Sequence, residues 1–337
     1  MTKQGLVEYM MDKETYPDKP GSIRLIQTHI SWVFVGDNYV YKVKKPVDFG
    51  FLDFTTLEKR KYYVNEEFRL NRRFSPDVYL DVVPISYVDE RFVLGDDSHV
   101  VEYALKMKRL SEEKMLYRLL ENEKVTVELM ARIGRHLSDV YSRIESNDEA
   151  KAHGTLDTIY TNVKENFDQT LPYIGGPVSK ETYDTIKSWS MDFMENNAKV
   201  FENRLSEGHI KDCHGDLHAQ HICVEDEGIV IFDCIEFNKR FRFGDVASDI
   251  AFLAMDLDYG GYTKFSRAFV DAYRKASKDE GLDAVLKFYK VYRAYVRAKV
   301  TSFLLDDENL ESAQRQDASM RAKAYYDLAL SYVRSND

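Results

Sequence analysis

Residues 212–249 read DCHGDLHAQHICVEDEGIVIFDCIEFNKRFRFGDVASD, a stretch that holds all three cysteines, three of the eight histidines and six aspartates. Proton-handling and metal-binding side chains at that density, broken by two short apolar runs, mark a site rather than core filling. His214-Gly215-Asp216-Leu217 reads as a polar loop. His221-Ile222-Cys223-Val224 and Ile229-Val230-Ile231-Phe232 read as two short strands across the turn Glu225-Asp226-Glu227-Gly228. Such a hairpin carries Asp216 before it and Asp233 after it, and returns both carboxylates to one edge of a small sheet. One can then handle a proton while the other holds a metal.

HGDLH, FDCIEF and GDVASDIAFLAMDL together resemble the catalytic loop, hairpin and metal-binding aspartate of the protein-kinase-like superfamily. With Gly215 where protein kinases usually carry arginine, the His-Gly-Asp form is similar to the aminoglycoside phosphotransferase branch, and more narrowly to an uncharacterised bacterial group within it. The resemblance implies an α+β, bilobal protein-kinase-like fold. A small antiparallel-sheet, nucleotide-binding N-lobe would span 1–108, and a mostly helical C-lobe with the catalytic loop and acceptor pocket would span 109–337. It further implies ATP and Mg²⁺, or Mn²⁺, as cofactors, Asp216 and His214 as catalytic residues, and Asp233 as a metal ligand. Five positions after Asp216 the superfamily usually has an asparagine as a further metal ligand, and here stands His221. Mg²⁺ prefers oxygen, whereas imidazole suits softer transition metals. Three readings follow: Gln220 supplies the oxygen, one metal with more water suffices, or turnover is slow or absent, as in a nucleotide-binding pseudo-kinase with a regulatory role.

Upstream, residues 22–45 are rich in β-formers, and Gly36-Asp37-Asn38 marks a tight hairpin between 32–35 and 39–43. By resemblance Lys42 contacts the α and β phosphates of the nucleotide; Lys44, two residues on and on the same strand face, is the alternative. There is no G-x-G-x-x-G, so the phosphate-covering loop falls on 28–31, with Thr28 and Ser31 supplying hydroxyls and the backbone its N–H groups. A plain edge strand reads equally well there. Helical sequence follows from about 56 to 73, and the resemblance asks one of its glutamates to pair with the strand lysine: Glu67, with Glu66 second.

Three strands are expected at 79–83, 91–94 and 100–107, with Gly95-Asp96-Asp97 turning the second pair. The linker between lobes should lie near 107–110, where adenine would meet backbone groups. Beyond it the period changes to 3.6, with Leu129, Ile133, Leu137, Val140 and Ile144 forming one stripe and His136 beside it as an ordinary satisfied helix histidine. Asp245 should cap the helix carrying Val246, Ile250, Leu253 and Leu257, and by resemblance also brace the catalytic loop. Eleven residues between Asp233 and Asp245 are too few for an activation segment that docks a peptide. A small-molecule hydroxyl acceptor is therefore favoured. Asp256 and Asp258 would suit a cationic acceptor, and Lys290, Arg293 and Arg297, on one helix face, an anionic one; solvated helix faces explain both sets as well.

The chain has 337 residues, 44% hydrophobic and 31% charged, with a net charge of −10. That is enough for a sizeable core, and the acidic balance argues against nucleic acid as a partner. No apolar run approaches a membrane span, and residues 1–14 lack a signal pattern. Residues 1–20 read as a peripheral lead-in segment. Three clustered cysteines fit reduced thiols in the cytoplasm. A reading of another class is a transition-metal hydrolase or structural zinc site built on His214, His218 and His221 with Cys213 and Cys223. CxxC and HExxH spacings are missing, which weighs against it.

Overall fold

Strand-forming residues between 24 and 108 build one antiparallel sheet of six strands: β1 (Arg24–Gln27), β2 (Ser31–Val35), β3 (Tyr39–Lys44), β4 (Tyr79–Val88), β5 (Arg91–Leu94) and β6 (Val100–Lys108). The order across it is β1-β2-β3-β6-β4-β5. This computed structural model describes residues 3–335; positions 1–2, at the start of the expected lead-in, and 336–337 lie outside the described residues. The chain divides into two units, one of Met1–Asn122 with Gln220–Lys239 and one of Glu123–Ala219 with Arg240–Asp337. That differs from a single cut after residue 108. The 222–231 hairpin belongs with the sheet unit because Ser75 Oγ bonds both the N–H and the C=O of Ile231, at 2.9 and 2.8 Å.

The sheet's two faces follow from period two. Trp32, Phe34, Tyr41 and Val43 point to one face, where Leu6 and Met10 of helix α1 (Lys3–Met11) and Tyr16 pack against them, all buried. The lead-in segment is therefore a cover for the sheet rather than peripheral; each such apolar side chain contributes about 1.5–3 kcal/mol when fully buried. The opposite face carries Lys42 and Lys44 and lies under helix α2 (Leu57–Asn71), whose first turn Thr56 caps by accepting the Lys59 N–H at 3.2 Å. Gly95 to Asp97 do not turn β5 onto β6. β6 pairs instead with β3 and β4, leaving β5 at the edge. The reason is burial: β6 buries Glu102, Ala104 and Leu105, whereas four-residue β5 buries none of its side chains.

The second unit is mostly helical: α3 (Val127–Ser142), α4 (Leu156–Thr170), α5 (Lys180–Asn196), α6 (Ala198–Ser206), α7 (Val246–Tyr259), α8 (Thr263–Ser277), α9 (Leu282–Phe303) and α10 (Ser312–Arg334). Helices α3 and α8 approach closely at Gly134, where a Cβ would sit 2.5 Å from the Phe269 carbonyl oxygen. The stripe expected on α3 is buried at Ile133, Leu137 and Val140. His136 beside it is not satisfied: its Nε2 is buried without a hydrogen-bond partner. Helix α7 is apolar nearly all round and buried along most of its length, as a helix packed on several sides must be. No helix among the described residues is long and apolar enough to cross a membrane.

Candidate active site

In the first unit the site begins with β3 and α2. The positions of α2 that reach the sheet, Arg60, Val64, Glu67 and Asn71, step by four, three and four along one stripe. Glu67 on that stripe is 1% exposed, while Glu66 points out and pairs with Arg69 at 2.8 Å. Period two along β3 brings both lysines to Glu67. Lys42 Nζ lies 2.7 Å from Glu67 Oε1, and Lys44 Nζ 2.7 Å from Oε2. Lys42 also pairs with Asp233 at 2.7 Å, and Lys44 pairs with Glu236. The result is one run of alternating charge, Asp233, Lys42, Glu67, Lys44, Glu236.

Burial pulls the Lys42 ammonium down, but Asp233, Glu67 and Glu236 more than offset it and hold it well above the ordinary lysine range. Burial pushes the Glu67 carboxyl up, yet two lysines beside it leave it below the usual glutamate range. At Glu236 burial, helped by the neighbouring Glu67 carboxylate, outweighs Lys44 and Lys42 and leaves the carboxyl above that range. Asp233 differs in exposure, its side chain being 42% accessible. Its N–H donates to Tyr79 Oη at 2.9 Å. His221 Nε2 lies 3.7 Å from an Asp233 oxygen, and the Phe232 N–H donates to the His221 carbonyl at 3.1 Å.

Thr28 lies in the β1–β2 turn and Ser31 opens β2. Thr28 Oγ1 accepts the N–H groups of Ile30 and Ser31, at 3.3 and 2.9 Å, so those donors face their own turn rather than a phosphate. At the end of β6, the Lys108 and Arg109 N–H groups donate to Val78 and Asn38 carbonyls at 2.8 Å. Beside them lies a cavity of about 830 Å³ with a charged lining that includes Arg109, Glu112, Arg118 and Glu225.

In the second unit the loop 214–219 is shaped by α7. Asp249, fully buried, accepts the His214 N–H at 2.7 Å, the Gly215 N–H at 3.1 Å and the Tyr141 hydroxyl at 2.5 Å. Burial pushes its carboxyl above the usual aspartate range, against the pull of Arg293, Tyr141 and the two N–H groups. At the far end of the loop Asp256 accepts the Ala219 N–H at 2.9 Å. Gly215 has φ +86°, a left-handed backbone that explains glycine at this position, and Arg293 donates to its carbonyl at 3.0 Å. His214 is buried, with Nδ1 accepting the Asp216 N–H at 3.3 Å. It therefore shapes the turn that presents Asp216, whose carboxylate lies 3.4 Å from His218 Nε2.

The structure thus gathers Lys42, Glu67, Asp233 and His221 in one unit and His214 and Asp216 in the other. The loop brace is Asp249, not Asp245. Asp245 caps α7 by accepting the Ala247 N–H at 2.8 Å and is otherwise held by Arg204, which also grips Asp279 at 2.9 Å. Of the charges considered for the acceptor, Lys290 pairs with Asp258 at 2.8 Å and Arg293 is buried in the loop support, so neither charge set is presented whole. Sequence reasoning missed Glu236, Tyr79, Asn71, Asp249 and Tyr141. The polar stripe of α2 was the available signal for Asn71.

No family model matches the chain. Uncharacterised proteins of Mycobacterium bovis and Mycobacterium tuberculosis are 28% identical over 289 residues, 86% of this chain and 56% of theirs. The chain thus spans about half the length of the curated relatives it matches. Among solved structures, a choline kinase from Cryptosporidium parvum superposes with TM-score 0.59 and 10% identity over 97% of this chain and 94% of that one. An amicoumacin kinase in complex with AMP-PNP, Ca²⁺ and its antibiotic gives 0.55 and 12% over 97% and 94%. The GDP complex of an aminoglycoside 2'-phosphotransferase variant gives 0.55 and 11% over 95% and 97%. The chain has the α+β protein-kinase-like fold. Its structural neighbours with this fold include aminoglycoside phosphotransferases and choline/ethanolamine kinase-family proteins.

Proposed function

We propose that the chain is a phosphotransferase that moves the γ-phosphoryl group of ATP to a hydroxyl of a small-molecule acceptor. The observation that carries this reading is the Lys42 pair with both Glu67 and Asp233, at 2.7 Å each: a buried glutamate holds a lysine beside a half-exposed carboxylate. That carboxylate offers the oxygen donor that Mg²⁺ prefers. With every group ionised, three carboxylates also outnumber two ammonium groups here, and a cation relieves the excess. Asp233 would hold the metal, with His221 next to it. When bound, the metal supplies positive charge to the phosphate oxygens.

Lys42 turns from Asp233 to the nucleotide phosphates while Glu67 keeps its ammonium aligned. Asp216 orients the acceptor hydroxyl and takes its proton late in the transfer. His214, Gly215 and Asp249 keep the Asp216 backbone still, so little reorganisation is needed at the moment of reaction. His221, a nitrogen donor where asparagine is usual, favours a second reading, a nucleotide-binding pseudo-kinase. A metal-dependent hydrolase would draw on His214, His218 and His221. Cys223 is turned elsewhere, its Sγ lying 3.7 Å from the Ser111 carbonyl and 3.6 Å from a Glu225 carboxylate oxygen.

Thermal unfolding of wild type and Asp233→Asn, with ATP and Mg²⁺ or Mn²⁺, tests the site. Nucleotide at 100 times its dissociation constant adds about 2.7 kcal/mol and moves the midpoint by roughly 2–4 °C. The rise should be lost in the variant; no rise with any nucleotide sinks the reading. Asp216→Asn should then bind ATP normally and turn nothing over, whereas a pseudo-kinase binds without turnover as wild type.

A further inference from the structure

The segment after Asp233 is tied down residue by residue within the first unit. Asp233 has φ +63°, a left-handed conformation that costs a non-glycine residue on the order of 1–3 kcal/mol and persists only where its surroundings over-determine it. Its N–H is held by Tyr79 of β4, and the Cys234 N–H by Asn71 Oδ1 of α2, each at 2.9 Å. Glu236 reaches β3 through a buried ion pair with Lys44. Phe237 packs on Phe51 with ring centroids 5.9 Å apart, and Asn238 donates to the Phe51 carbonyl at 3.2 Å. The hydrogen bonds and the ring contact can exchange with water at modest cost. The ion pair is different: its side chains are 2% and 5% exposed, and separating them strands a buried charge.

We infer that Lys44 and Glu236 are positioning residues for Asp233. Their ion pair clamps the following segment to β3, so that the strained backbone at 233 is kept and the carboxylate stays beside Lys42 before any nucleotide arrives. The inference rests on the reading of Asp233 as the metal ligand. The two β3 lysines divide the work: Lys42 faces a carboxylate that the ligand can take over, and Lys44 faces one that belongs to the protein. Such a site is set by folding alone and needs no phosphorylation to order it.

The test is the double variant Lys44→Met/Glu236→Met, which removes both charges and leaves neither buried alone. Hydrogen exchange at the Asp233 and Cys234 amides, without nucleotide, should speed by at least about tenfold as the segment opens locally. Calorimetric affinity for ATP with Mg²⁺ should fall at least about tenfold, as it does when residues that orient a metal ligand are lost, and affinity for ATP without metal should fall less, since Lys42 keeps its pair with Glu67. Unchanged exchange and unchanged metal-linked affinity in the folded variant overturn the inference alone. A wild type whose ATP affinity ignores Mg²⁺ overturns the phosphotransferase reading, and the inference with it. Should the double variant not fold, Glu236→Gln is read the same way: faster exchange and weaker metal linkage support the clamp, and no change in either overturns it.

Discussion

Glu67 in the first unit and Asp249 in the second are both buried carboxylates facing cations, yet they hold different things. Glu67 is met by two lysine side chains, and its neighbours Asp233 and Glu236 are side chains as well. Asp249 is met mainly by backbone, the N–H groups of His214 and Gly215, with Tyr141 and Arg293 behind. Side-chain partners can be exchanged for those of a ligand, because rotamers change without refolding. Backbone partners cannot. The first arrangement therefore suits groups that must change partners during a reaction, and the second suits a loop that must not move.

This contrast breaks down if the two carboxylates respond alike to mutation. Asp249→Ala removes at once the acceptor of two buried N–H groups and a tyrosine hydroxyl and the carboxylate facing Arg293, which keeps its bonds to Ser248 and the Gly215 carbonyl, and should cost about 3–5 kcal/mol in urea unfolding; a loss near 1 kcal/mol would show that the loop holds without it. The lysines sharpen the comparison within one strand. Lys44→Met leaves Glu236 buried without its counter-charge and should cost about 2–3 kcal/mol. Lys42→Met leaves Glu67 still paired with Lys44 and Asp233 in contact with water, so its unfolding free energy should fall by about 1 kcal/mol or less although ATP binding with Mg²⁺ is lost. Equal stability losses would mean the lysines are interchangeable. The smallest effect is expected at His136 on α3. Burial holds its imidazole below the ordinary value of 6.5, so the unfolded chain binds the proton more readily. Stability is then fully present above pH 6.5 and declines as pH falls through the lowered folded value. His136→Gln should flatten that decline in denaturation curves recorded from pH 7 downward.

Much of this was legible in the sequence because it is periodic. The hairpin Ile222–Glu225 with Gly228–Ile231, strand β3 and helix α2 follow from alternation, turn residues and composition; Lys42 was singled out by the resemblance, and Lys44 by its place on the same strand face. Glu67 could be separated from Glu66 only by phase, since it shares the stripe with Arg60, Val64 and Asn71 while Glu66 does not. Glu236 was not legible. It sits in an irregular stretch with no period to set its direction, and its partner Lys44 lies 192 residues away. Asp249 was misjudged for Asp245 because both flank the start of α7, and only the turn of the helix decides which carboxylate faces the loop.

The chain path also sets a timetable. The sheet unit needs residues 220–239, yet the ribosome makes 123–219 first. At about 5–20 residues per second that delay is on the order of ten seconds. During it, Ser75, Asn71 and Tyr79 wait without the backbone groups they bond in the finished protein, and Val230 and Phe232 are not yet there to pack on the α2 side of the sheet. A nascent chain paused within 123–219 thus displays an incomplete sheet unit with part of its apolar face open, a window in which chaperone capture competes with folding.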